Sequence, residues 1–245
     1  MDQRKPGSDP RLAAAEEQMR NWAIGLEVQN RIGSQKQTGQ QSLHEVHPYI
    51  AISREAGTGG GALAQSLHQL LGWDVLGREL LDGIAERYEE SLAMLQAVDE
   101  SGPNWLAEVF GKWLDHHLVT PSQYVRQLGH IMLASARARG CIFIGRGSQV
   151  LLPAKCGISV RLVAPLELRI SQIMEIRGLG REQAKALIAE TDGRRRDFLA
   201  RQFGHDIDDP SLYDLIFNRR SLDIGSIAEI IVKEARRRFN VAAGA

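Results

Sequence analysis

The chain has 245 residues, enough for one sizeable α/β domain with appendages or for two small domains. Hydrophobic residues make up 43% and charged residues 24%, which is ordinary for a soluble globular protein. Thirty basic residues balance thirty acidic ones, which argues against a surface built as a whole for nucleic acid or an anionic membrane and leaves room for a local basic pocket.

Residues 1–46 read as a separate N-terminal helical arm and linker. Asp9-Pro10 is a helix start, with a cap residue followed by proline in the first turn, and the helix is expected to reach about Ile32. "GSQKQTGQQS" then reads as a polar linker. The arm is either a packing element, for example in a homo-oligomer, or a mobile extension. The first residues lack the apolar core of a secretory signal, and no apolar run approaches the roughly 18 residues that span a bilayer, so a cytoplasmic protein is expected.

From His47 onward short apolar runs alternate with helical periodicity. The runs are "YIAIS" (49–53), "WDVLG" (73–77), "CIFIG" (141–145), "ISVRLVA" (158–164) and "DLIFN" (214–218). All but the second are near-continuous apolar stretches with β-branched residues, as in strands covered on both faces. Helices are expected at Ala62–Leu71, about Tyr124–Arg139, Leu166–Ile176 and Ser226–Phe239. The alternation implies an α/β fold with a parallel sheet and right-handed crossovers, whose ligands bind beyond the carboxyl ends of the strands.

Residues 79–123 form a long insertion. In it Trp105, Phe110 and Trp113 stand at helical spacing and read as core or interface packing, with base stacking as the alternative. His116 and His117 have no matching ligand cluster, so no metal site is expected. Cys141 and Cys156 lie in apolar stretches and read as buried thiols of a reducing compartment.

"SREAGTGGGALAQSL" follows the first strand. Gly57, Gly59, Gly60 and Gly61 allow positive φ and close approach of a ligand, and the helix that follows offers unpaired N–H groups to an anion. The order strand, glycines, helix favours a phosphate loop over a turn that needs glycine only for packing. Arginines stand where such a loop needs cations. Arg54 enters it, Arg78 and Arg146 follow the second and third strands, and "TDGRRRDFLARQFGHD" (191–206) carries Arg194, Arg195, Arg196 and Arg201.

Together with "IFIGRGSQVLL", "VRLVAPLELRI" and "DIDDPSLYDLIFN", these motifs resemble the cytidylate kinase-like family of P-loop nucleoside monophosphate kinases, over about 47–235. The resemblance implies a P-loop domain (47–245) with a five-stranded parallel sheet and helices on both faces. It also implies an NMP-binding insertion at 79–123 and an arginine-bearing lid at 177–212. It would make Gly57, Thr58, Gly59, Gly60, Gly61 and Ala62 the donor-nucleotide loop, with Asn218 beside the nucleotide. Arg78 and Arg146 would face the acceptor phosphate. Arg195 and Arg201 would approach the transferred phosphoryl group, Asp192 would hold the lid, and Arg54 would join the catalytic set. ATP and Mg2+ are the implied cofactors, and a nucleotide or small phosphorylated substrate the implied partner.

The chain departs from the pattern G-x-x-x-x-G-K. Arg54 stands at the first glycine, Gly60 at the lysine, and Ala62 at a hydroxyl-bearing position. Gly147 replaces the aspartate of G-R-D, Gly77 an aspartate, and Gly61 an arginine common in the kinase-like branch. The surviving arginines suit a kinase and a non-catalytic nucleotide or anion sensor alike, and the departures favour the sensor. An interaction protein, built on the arm and the Trp105/Trp113 helix, is compatible with both.

Overall fold

The computed structural model describes residues 46–78, 81–82 and 122–241. The N-terminal arm, Trp105, Phe110, Trp113, His116, His117 and most of the 79–123 insertion lie outside the described residues.

Five strands form one sheet: β1 (Tyr49–Arg54), β2 (Asp74–Leu76), β3 (Cys141–Ile144), β4 (Gly157–Val163) and β5 (Leu215–Asn218). Their order is β2-β3-β1-β4-β5, and every pairing is parallel. Side chains alternate across a strand, so β1 serves two cores at once. Ile50 and Ile52 face α1 (Gly60–Leu71) and α6 (Ile224–Phe239), together with Leu63, Leu67, Ile227 and Ile231. Tyr49 and Ala51 face the other side, where α2 (Gln123–Ala138) packs with Phe143, α3 (Ser148–Leu151) and the end of α5 (Arg181–Phe203). Burial on both faces explains why the strands read as continuous apolar runs.

The 177–212 segment holds one unbroken 23-residue helix, α5, which packs against α4 (Leu166–Arg177). Ile170, Ala184 and Ile188 meet there, with Ala56 of the glycine-rich loop. The helix is thereby seated on the loop through apolar contact as well as through the polar contacts described next. No described helix is long and apolar enough to cross a membrane.

Candidate functional site

A cleft of about 550 Å³ opens beyond the carboxyl ends of β1, β2 and β3, with α5 as its far wall. This is where an open parallel sheet presents its ligand crevice. At the end of β1 the chain turns through Gly57 (φ 80°) and Gly59 (φ 77°) into α1. Residue 57 must be glycine for a second reason: a Cβ there would meet the Arg169 backbone oxygen at 2.6 Å. Thr58 is fully buried, and its hydroxyl donates to the Glu55 carbonyl at 2.8 Å, so it braces the loop from within. The first N–H groups of α1, from Gly59 to Ala62, have no preceding turn to accept them, and they form a positive helix end beside the cleft.

A Cβ at residue 60 would lie 2.9 Å from Arg54 Cγ, so the Arg54 side chain occupies the space over Gly60 that a side chain there would claim. Its guanidinium packs against Gly145 at the end of β3, where a φ of 78° favours glycine. Burial, followed by the charges of Arg195, Arg78, Arg146 and Arg161, pushes Arg54 below its ordinary range, to about 9. A guanidinium remains protonated at neutral pH, so this is a crowded, under-neutralised cation. Among the described residues no carboxylate forms an ion pair with it.

The loop and α5 are tied together. Asp192 accepts the Ala56 N–H at 2.7 Å through Oδ1 and Arg169 Nη1 at 2.6 Å through Oδ2. Arg195 donates from Nη1 to the Arg54 carbonyl at 2.9 Å. Glu55 accepts the Ala164 N–H at 3.0 Å, joining the loop to the end of β4. Desolvation lowers the Arg195 pKa, Asp192 opposes this, and Arg161 and Arg78 add to it.

On the opposite wall Arg146 makes a bidentate pair with Asp82, with Nε to Oδ1 at 2.8 Å and Nη2 to Oδ2. The Tyr124 hydroxyl donates to the same carboxylate at 2.7 Å, and the Phe198 ring lies 5.2 Å from the guanidinium carbon. Arg146 has φ 57° between two positive-φ glycines, Gly145 and Gly147. A non-glycine residue held there costs about 1–3 kcal/mol, which its paired and stacked side chain helps to offset. Gly147 has a plain reason for not being aspartate: a Cβ there would collide with the Phe203 ring.

Of the residues singled out from sequence, Arg54, Gly61, Arg78, Arg146 and Arg195 line the cleft. Arg201 is not brought to it; its side chain is 77% exposed and pairs with Asp197 at 3.3 Å along the helix. Nor is Asn218, whose Oδ1 accepts the Arg220 N–H at 3.0 Å. Arg177 and Arg194 do line the cleft. Two further arginines support the loop. Arg161, buried on β4, donates to Ser53 Oγ at 2.9 Å and Asp208 Oδ1 at 2.8 Å. Arg219 donates to the Thr58 carbonyl at 3.0 Å, and its buried Nε has no partner. A lone arginine inside "ISVRLVA" was a readable signal for Arg161. Arg219, one residue past β5, carried none.

A family model described as the cytidylate kinase-like family matches residues 49–221. The chain belongs to that family. Similar solved structures include an uncharacterized protein from Eubacterium ventriosum, 18% identical with a TM-score of 0.62, covering 78% of this chain and 99% of that one. A shikimate kinase from Bacteroides thetaiotaomicron is 12% identical with a TM-score of 0.39, covering 77% and 96%. A dephospho-CoA kinase from Campylobacter jejuni is 14% identical with a TM-score of 0.35, covering 78% and 97%. No curated protein matches the chain. Membership in this family supports a nucleotide-binding, kinase-like protein, and the sheet order agrees with that fold.

Mg2+ needs hard oxygen ligands, carboxylates above all. Among the described residues no Asp or Glu lines the cleft, and no acidic cluster fit for a metal exists. The nearest carboxylates are engaged: Glu55 with Ala164 N and Arg169, Asp192 with Ala56 N and Arg169, and Asp82 with Arg146 and Tyr124. Ser53 Oγ is taken by Arg161, and the Thr58 hydroxyl points into the loop. The described donor set does not fit a resident Mg2+.

Proposed function

We propose that the chain binds a nucleoside triphosphate, ATP by family resemblance, through its phosphates and transfers the terminal phosphoryl group to a small anionic acceptor such as a nucleoside monophosphate. The observation that carries this reading is the exchange at the loop. The Arg54 stem covers Gly60, and its guanidinium lies beside Gly145 on the wall of the same cleft, so a cation stands next to a loop that lacks the family's lysine. The amides of Gly59–Ala62 and the helix end hold the donor phosphates. An acceptor phosphate oxygen attacks the terminal phosphorus, the bond to the bridging oxygen breaks, and the nucleoside diphosphate leaves with that electron pair. Arg195, already anchored on the Arg54 carbonyl, stands to neutralise the charge that spreads over the transferred group.

The cleft composition points to the acceptor class. An alcohol acceptor needs a base within hydrogen-bond reach. A phosphate acceptor is already deprotonated and needs cations, and the cleft has arginines and no lining carboxylate among the described residues. Arg78 and Arg146 are the acceptor-side cations in this reading.

The same lack of carboxylates, with Gly60 and Ala62 in the loop, favours a second reading, a non-catalytic nucleotide sensor. ATP turnover across a panel of nucleoside monophosphates separates the two. Turnover with at least one acceptor, falling by at least about 100-fold in Arg195→Ala with ATP affinity little changed, supports the kinase. ATP binding without turnover on any acceptor overturns it and leaves the sensor.

A further inference from the structure

Among the described residues six arginines line the cleft, Arg54, Arg78, Arg146, Arg177, Arg194 and Arg195, and no Asp, Glu or Lys does. Arg146 pairs with Asp82, Arg194 with Glu190 at 3.5 Å, and Arg195 with Asp192 at 3.5 Å. Arg54 and Arg177 form no ion pair among the described residues. A phosphate site with its own ligands for a divalent cation usually supplies one or two carboxylates or a hydroxyl, and such carboxylates offset neighbouring arginines. This cleft has the opposite balance. Its cations are fixed to the protein, and among the described residues the carboxylates beside it, Asp82, Glu55 and Asp192, are already engaged by arginines or backbone N–H groups.

We propose that the cleft binds its polyphosphate ligand free of divalent cation, with Arg54 supplying at the bound phosphates the neutralising charge that a metal supplies elsewhere. The inference rests on the nucleotide-binding reading above. A polyphosphate carrying Mg2+ brings less negative charge into a field of fixed positive charge. The metal-free form is therefore the preferred ligand, and the metal weakens binding by competing with the guanidiniums for the same oxygens.

Calorimetry on the full chain tests this with ATP and with inorganic tripolyphosphate, each in excess EDTA and in excess Mg2+. The expected affinity in EDTA equals or exceeds that in Mg2+ for both ligands. Binding at least about tenfold tighter in Mg2+ overturns the proposal and leaves the nucleotide reading intact. No ATP binding in either condition overturns both. Gly77→Asp supplies a complementary test. Gly77 lines the cleft, a Cβ there meets nothing within 4 Å, and its carbonyl accepts the Leu81 N–H as the first bond of a helical turn. Aspartate is favoured at such a helix start, so the variant should fold. It should bind ATP at least about tenfold more weakly in EDTA, with Mg2+ restoring affinity. Unaltered affinity in EDTA would contradict the charge balance argued here.

Discussion

The decisive residues are an exchanged pair, Arg54 and Gly60. A lysine at residue 60 and an arginine at residue 54 would compete for one volume, since even a Cβ at 60 approaches Arg54 Cγ to 2.9 Å. Gly60→Ala is therefore expected to push the Arg54 side chain off the loop. ATP affinity should fall by about 3- to 10-fold while the melting temperature changes little, because the displaced group is a flexible side chain. Calorimetry and a thermal melt check both halves. The sequence showed the arginine and the missing lysine, but not that one side chain lies over the other position. That relation depends on a rotamer, on which residue spacing is silent. Arg201 was misplaced in the cleft for a similar reason. Six residues past Arg195 on a helix turning 100° per residue, it points to a different side.

At the scale of elements, the strands were legible as short apolar runs and the helices α1, α2 and α6 by a periodic buried face, all within about two residues, while α4 was bounded by Pro165 before it and Gly178 after it. Helix α5 was not legible in this way. Its buried residues are Ala184, Ile188, Leu199 and Phe203, a pair near each end separated by an exposed or half-buried middle rich in arginine. No continuous stripe announces it, since its middle serves the cleft rather than a core. Two predictions belong here. Gly147→Asp, which restores the family motif, should destabilise the fold by about 2–5 kcal/mol through a positive-φ penalty and collision with Phe203, read from urea unfolding. Asp214 joins β4 to α6, accepting the Ser159 N–H at 2.8 Å and Arg238 Nη1 at 2.8 Å. Burial pushes its carboxyl up, but these bonds outweigh it and hold the group below its ordinary 3.8. The depressed value contributes stability that is present above pH ~4 and is lost as pH falls through the folded-state pKa. Asp214→Asn should therefore be less stable at pH 7, by about 1 kcal/mol, and the gap should narrow toward pH 3 in pH-resolved melts.

For the molecule as a whole, a formal charge of zero conceals a strong local field. Arginines from three strand ends and from the two helices α4 and α5 converge on one cleft, while acids paired with them, such as Asp82 and Asp192, are not among the described lining residues. Composition averages this away, and the motif order recovered it by placing Arg54, Arg78 and Arg146 at strand ends and Arg194 and Arg195 in the lid stretch, without singling out Arg177. The field predicts that ATP affinity falls steeply between low and physiological salt, since the interaction is between charges that salt screens. The central claim is that Arg54 stands in for the loop lysine as a phosphate-binding cation. Its most direct test is ATP affinity of the wild type and Arg54→Ala by calorimetry, alongside their melting temperatures. The expected result is a loss of at least about tenfold in affinity with no loss of stability, because removing Arg54 also relieves its repulsion by Arg195, Arg78, Arg146 and Arg161. Unchanged ATP affinity in a folded Arg54→Ala variant would contradict the account.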